Sequence, residues 1–373
     1  LAAEQFKITF APEKSFMPKN FASSILTAMS LACILPAWLA GPTNAQPDKT
    51  SPAVSPLGTG SKIVWLVPLH DFEEMYESPP GDPSRSEWNR VSKHVQIIRF
   101  NAGYINRLSD DVLAKIVEDL KRRHISIGMV VLALNWVGEE ACGKGVEGYG
   151  DPGMAKKVIQ KIQNAGGTID YIEMDEPLYF HHYANGKNCC HGTIQNTAER
   201  TAAIIKIYKS AFPNAIVGDT EPFPAVSNQP HWKAEYAEWV KSFQRQSGTP
   251  LSFLHLDFAW GNSAISTGPN HAPNREAIAA LAQSAAAVAR ENGLQVGMIY
   301  NGDGSSTSDV EWVEMAKKHM NCVENSGIAP EQAIIETWNK RPDGQFRPAN
   351  LLPVSDPGAL GSLVQYYTTQ FNR

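Results

Sequence analysis

Along this chain, short apolar runs of strand character alternate with longer stretches whose apolar residues fall on one helical face, as a parallel-sheet protein requires. Eight runs read as strands: Lys62 to Pro68, Val95 to Phe100, Ser126 to Leu134, Ile169 to Met174, Ala215 to Gly218, Leu251 to Phe258, Gln295 to Tyr300 and Gln332 to Thr337. Between them, Val112, Leu113, Ile116, Val117 and Leu120 line one face of a helix for which Ser109 is a fitting N-cap. Val158, Ile159 and Ile162 do the same, as do Ala202, Ile205 and Tyr208, and the run from Ala277 to Ala289 is helical by propensity. A closing helix over Asp356 to Phe371 turns Leu360, Leu363, Val364 and Tyr367 inward. This alternation predicts an α/β fold of one domain, a closed (β/α)8 TIM barrel. An open doubly wound sheet is the alternative, but Pro68-Leu69-His70-Asp71 stands where a dinucleotide-binding sheet needs a glycine-rich turn.

The N-terminal segment falls outside this pattern. From Met17, Lys19 gives a positive start, Ser23 to Leu39 is largely apolar, and Thr43-Asn44-Ala45 offers small residues for cleavage. Residues 17 to 45 therefore read as a secretory signal, with 1 to 16 as an upstream extension. An uncleaved membrane anchor is the alternative, although the apolar run is short for a span. Residues 46 to 61 are rich in Pro, Ser, Thr and Gly and read as a flexible leader, which leaves 62 to 373 for the barrel.

Beyond residue 45 the chain has 30 basic and 36 acidic residues, a formal charge of −6. That balance, without a dense basic cluster, argues against a nucleic-acid partner, and no second long apolar stretch predicts a membrane span. Cys142, Cys189, Cys190 and Cys322 also lie beyond the signal, an even number suited to a secreted or periplasmic protein. Cys142 is expected to pair with Cys189 or Cys190, because loops after consecutive barrel strands are neighbours; free buried thiols are the alternative. A metal site from Cys189, Cys190, His181, His182 and His191 matches no standard zinc spacing, and no cofactor is expected.

In a barrel the C-terminal strand ends converge on one mouth. The segment Thr168 to Pro177, TIDYIEMDEP, runs a strand into Asp175, Glu176 and Pro177. Proline cannot extend a ladder and disfavours the helical region for the residue before it, so Glu176 is fixed at the lip. Glu221-Pro222 repeats the device. The other ends offer His70 and Asp71, Asn101 and Tyr104, Asn135 and Trp136, Asp219, Asp257 and Trp260, Tyr300, Asn301 and Asp303, and Glu336 and Trp338. Cleavage of a glycosidic bond needs such a set: one carboxyl protonates the leaving oxygen, a second acts as nucleophile or base, and aromatic faces hold sugar rings. The catalytic candidates are Glu176, Glu336, Asp303 and Glu221. Candidate substrate contacts are Asp175, Trp136, Asp257, Trp260, Tyr300, Asn301 and Trp338. The plain alternative is that strand-end acids cap the helices that follow and the aromatics pack, as Trp65 and Trp88 are expected to do.

Asp175-Glu176-Pro177 resembles the Asn-Glu-Pro motif that one clan of barrel glycoside hydrolases places after strand four. The resemblance implies Glu176 as acid/base, with Asp175 where the clan has an Asn that contacts sugar, and Trp338 as a strand-eight platform. The clan's nucleophile is a Glu ending strand seven, whereas this chain reads Gly297-Met298-Ile299-Tyr300-Asn301-Gly302-Asp303 there. Asp303 or Glu336 is left to supply the second carboxylate. Chitinase-like barrels carry four spaced acids on strand four; Asp170, Glu173 and Asp175 fit three, and Pro177 occupies the fourth position.

Two loops border the expected mouth. Leu178 to Gly192, with Tyr179, Phe180, Tyr183 and three histidines, reads as a lid or subsite wall, or as a disulfide-pinned loop packed on itself. Gly138 to Gly153 is glycine-rich and carries Glu147, with no role beyond support of the site. The leading expectation is a secreted hydrolase of an oligo- or polysaccharide. Its competitors are a metal-dependent sugar enzyme with Glu176, Glu221, Asp257 and Glu336 as ligands, and a non-catalytic carbohydrate-binding barrel. No Gly-x-Ser-x-Gly elbow supports serine chemistry.

Overall fold

Each of the eight apolar runs forms a strand: β1 Ile63–Leu66, β2 Ile97–Asn101, β3 Ser126–Val131, β4 Tyr171–Asp175, β5 Ile216–Phe223, β6 Phe253–Phe258, β7 Gln295–Tyr300 and β8 Gln332–Ile335. The structure is a computed structural model describing residues 62 to 136, 142 to 267 and 272 to 372. The expected upstream extension, secretory signal and leader lie outside the described residues. Every strand pairs in parallel with its neighbours in sequence, and β1 meets β8 with Trp65 opposite Ile334, so the sheet closes into a barrel. Among the described residues, no helix is long and apolar enough to cross a membrane.

The helices form as the periodicity predicts. Ser109 Oγ accepts from Val112 N at 3.3 Å to cap helix Asp110–Arg123, which buries Val112, Leu113, Ile116, Val117 and Leu120 against the barrel. Leu360, Leu363, Val364 and Tyr367 are buried on the closing helix Leu360–Phe371. One strand departs from expectation. β5 does not end at Gly218 but continues to Phe223, because Asp219 to Phe223 pair with Leu254 to Phe258 of β6. Glu221 is thereby a strand residue rather than a loop residue.

Strand side chains alternate between the barrel interior and the helical layer. Inside, Trp65 meets Tyr171, Phe253 and His255 edge to face, with ring centroids 5.2, 5.6 and 5.0 Å away. Such a plug needs room, and glycine at inward positions provides it. A Cβ on Gly128 would strike the Trp65 ring, one on Gly218 the Phe253 ring, and one on Gly297 the His255 ring. The floor of the barrel is thus aromatic and full, which leaves the mouth as the place for chemistry.

Because His255 is also held by Gln332, it has nowhere to retreat. Gly297→Ala is therefore expected to destabilise the fold by about 1–3 kcal/mol through overpacking. The measurement is a lower urea midpoint at an unchanged m-value; an unaltered midpoint would show that the ring has free space.

Candidate active site

Above the aromatic plug lies a layer of buried charge. Arg99, inward on β2, grips Glu173 of β4 with both edges of its fork, Nε to Oε2 at 2.6 Å and Nη2 to Oε1 at 2.8 Å. Its Nη1 donates to Glu336 Oε2, just beyond β8. Thr220 Oγ1 donates to Glu173 Oε1, and His255 Nδ1 lies 3.1 Å from the same oxygen. Gln332 Oε1 accepts from Trp65 Nε1 at 2.8 Å, so His255 Nε2, 2.9 Å from that oxygen, acts as a donor too. Burial alone would push the Glu173 carboxyl up, but Arg99 and His255 outweigh it and hold Glu173 well below the usual carboxylate range. None of Arg99, His255 or Thr220 stood among the sequence candidates. The available signal was a charged or polar residue at an inward position of an otherwise apolar strand.

At the mouth the balance reverses. Asp175 ends β4 and Glu176 follows in the left-handed region, φ 49°, a conformation that costs a non-glycine residue on the order of 1–2 kcal/mol. It is held there by Glu176 N donating to Thr220 O at 3.0 Å and Phe180 N donating to Glu176 O at 3.1 Å. Glu176 is buried, and every leading influence on its carboxyl pushes it upward: burial, then the charges of Glu147, Asp257, Asp175 and Glu221. Asp175 is pushed up to about 8 by burial and Glu147, against the pull of Arg99. Asp257, inward on β6, is raised by burial, Glu336 and Glu147, and its Oδ1 is buried without a partner. Burial also raises Glu336, opposed by Arg99. The mouth thus combines carboxyls pushed toward the protonated form with one in direct contact with a cation.

Other candidates are placed elsewhere. Glu221 faces away from the barrel interior, and both its oxygens are taken, by Leu178 N at 2.8 Å and Tyr179 N at 3.0 Å; it caps the turn after Pro177. Asp219 also faces outward, accepting from Trp239 Nε1 at 2.7 Å. Tyr300 is the last residue of β7 and points into the helical layer, where its hydroxyl donates to Glu324 Oε1 at 2.7 Å. Trp260 is only 3% exposed and stacks on His319 with centroids 3.9 Å apart. Asp303 closes its own turn, accepting from Ser305 N at 2.8 Å, while its Oδ2 is buried and unpartnered. Trp338, by contrast, is 42% exposed, and with the Asn301 amide turned to suit its neighbours, Asn301 Oδ1 accepts from Trp338 Nε1 at 2.9 Å. Trp136 is half-buried after the short strand Leu134–Asn135.

The two loops flanking Glu176 are tied together. Cys142 is bridged to Cys190, as one of the two expected pairings has it, while Cys189 and Cys322 are free. Gly148 packs so closely against Asp175 that a Cβ there would lie 2.7 Å from the Asp175 carbonyl oxygen. Glu147, the residue before it, is solvent-exposed, yet among neighbouring charges it has the largest effect on both Asp175 and Glu176. Among the described residues, no three His, Cys, Asp or Glu side chains are grouped to hold a metal ion.

The chain matches no family profile and no curated protein by sequence. Among solved structures it is similar to a xylanase from Paenibacillus barcinonensis complexed with a conduramine derivative, at 12% identity over 77% of this chain and 87% of that one, TM-score 0.45. A fungal β-1,4-galactanase is similar at 10% identity over 82% of this chain and 99% of that one, TM-score 0.47. Xylanase 10B from Thermotoga maritima is similar at 10% identity over 82% and 96%, TM-score 0.45.

The charge arrangement has a consequence for pH. Carboxyls titrate near pH 4 in an unfolded chain, so a raised folded value means that the native state binds the extra protons above that point. Stability is therefore expected to fall as pH rises from about 4 to about 8, the latter being where Asp175 titrates. Glu173 acts in the opposite sense, its contribution being present above about pH 4 and lost below it. Asp175→Asn should flatten the alkaline decline in urea midpoints; an unchanged slope would remove Asp175 from the account.

Proposed function

We propose that the protein is a secreted glycoside hydrolase acting on an oligo- or polysaccharide, with Glu176 as general acid and Glu336 as the partner carboxylate. The observation that carries this reading is the unlike treatment of two carboxyls at one mouth. Glu176 has burial and negative neighbours around it, whereas Glu336 has the Arg99 guanidinium on one oxygen. A protonated Glu176 gives its proton to the glycosidic oxygen as the bond to the anomeric carbon breaks. Glu336 supplies negative charge to that carbon, by direct attack or by taking a proton from the attacking water. Product stereochemistry, read by proton NMR, separates these two roles.

The exposed face of Trp338 suits stacking on a sugar ring, with Asn301 fixing its orientation. Asp175 and Asp257, inward at the same mouth, are assigned to sugar hydroxyls, a role that the unpartnered Asp257 Oδ1 supports. The Cys142–Cys190 bridge supports action outside a reducing cytoplasm, in keeping with the expected signal.

Glu176→Gln is expected to lower kcat by ~10²–10⁴-fold on a polysaccharide identified by release of reducing ends, with an unchanged circular dichroism spectrum. Turnover that survives in this variant would overturn the reading. Trp338→Ala should raise KM by about tenfold and leave kcat nearly intact, because stacking serves ground state and transition state alike.

A further inference from the structure

We infer that Glu147 is a positioning residue for the proton on Glu176: the loop after β3, stapled to the loop after β4, holds a negative charge against the acid and keeps it protonated. This rests on the reading of Glu176 as proton donor.

The geometry is built rather than incidental. Gly143, Gly145 and Gly148 take positive φ values of 92°, 74° and 79°, which fold the loop back over the end of β4. Cys142–Cys190 joins the two loops, Gly143 N donates to Asn188 O at 2.6 Å, and Asn188 Nδ2 donates to Lys144 O at 2.9 Å. On the other side of Glu147, Leu134 N donates to Gly148 O at 3.2 Å, and Tyr149–Gly150 pairs with Leu134–Asn135. The Tyr149 hydroxyl is hydrogen-bonded to His181 Nδ1, whose ring is fixed by Asn196 at 2.8 Å. Glu147 is therefore clamped on both sides, one residue from the backbone that touches Asp175.

Four acids surround Glu176: Glu147 from the β3 loop, Asp175 from β4, Glu221 from β5 and Asp257 from β6; the Tyr179 hydroxyl faces it from the following turn. Glu221 is bonded to two backbone N–H groups, and Asp175 and Asp257 both feel Arg99. Loss of solvation raises the Glu147 carboxyl too, and no cation is among its leading influences, so Glu147 and Glu176 compete for a proton with no opposing partner on the Glu147 side. Like charges at this range cannot both ionise readily, and the proton settles on the more buried member.

The test is a carboxyl titration of the full chain labelled with δ-13C glutamate, in which the Glu176 signal is assigned by its loss in Glu176→Gln. In Glu147→Gln, whose exposed position leaves the core intact, the Glu176 midpoint is expected to fall by about one pH unit, a tenfold loss of proton affinity. The alkaline limb of the kcat profile should move down with it. The double variant Cys142→Ser, Cys190→Ser should lower the midpoint in the same direction. An unmoved midpoint in Glu147→Gln overturns the proposal, and a midpoint that moves there but stays put in the cysteine variant overturns the part given to the staple. Because the titration needs no substrate, it decides the coupling even if turnover in Glu176→Gln removes the hydrolase reading.

Discussion

Arg99 places a permanent charge inside the barrel, where water cannot screen it, and the rest of the mouth is arranged around that fact. A charge taken out of water is tolerated only with close, well-directed partners. Glu173 meets the planar fork on two nitrogens, which a lysine could not reproduce, and the third contact falls on Glu336, past β1 on the other side. The pair fixes the electrostatics of its surroundings. Glu173 is held ionised by the guanidinium, and at Glu336, Asp175 and Asp257 the same charge opposes a rise that burial still wins, while Glu176, beyond its leading reach, is left to burial and to other acids. One buried ion pair thereby sets the ionised end of a gradient of proton affinity across the mouth.

How much of this could be seen in the amino-acid pattern varies with the residue. The eight strands follow from apolar runs, and the lip position of Glu176 follows from Pro177, because both are local effects. Side-chain direction is also local, and it sorts the strand-end candidates. With Tyr171, Glu173 and Asp175 inward on β4, the period of two and the pairing of Glu221 with Leu256 turn Glu221 outward, and the same parity removes Tyr300 once Gly297 is inward. Asp257 passes this test. Arg99 and His255 were legible by it as well, as charged or polar residues at inward positions. What sequence could not supply is the course of the chain beyond a strand: Trp260 turns under to stack on His319, whereas Trp338 stays open, although each lies a few residues past its strand. Those outcomes depend on loop packing between distant segments.

The β3 and β4 loops show the same division. Their cysteines suggested a link, and the bridge Cys142–Cys190 is of the expected kind. The effect of that link on Glu147 was not visible, because it depends on Gly148 lying against the Asp175 carbonyl. Close approach of two backbones is set by absent atoms, and a glycine in a glycine-rich loop gives little hint of which neighbour it admits.

The left-handed backbone at Glu176 carries an evolutionary implication. A glycine there would relax the chain and would also delete the carboxyl. With Glu176 as the proposed proton donor, folding and chemistry make opposite demands on a single position. A lineage of this barrel that lost its substrate would be expected to drift toward glycine or asparagine at 176 while Arg99 and Glu173 stayed, since those two still serve the interior. The strained residue is the one that records whether the barrel is still in use.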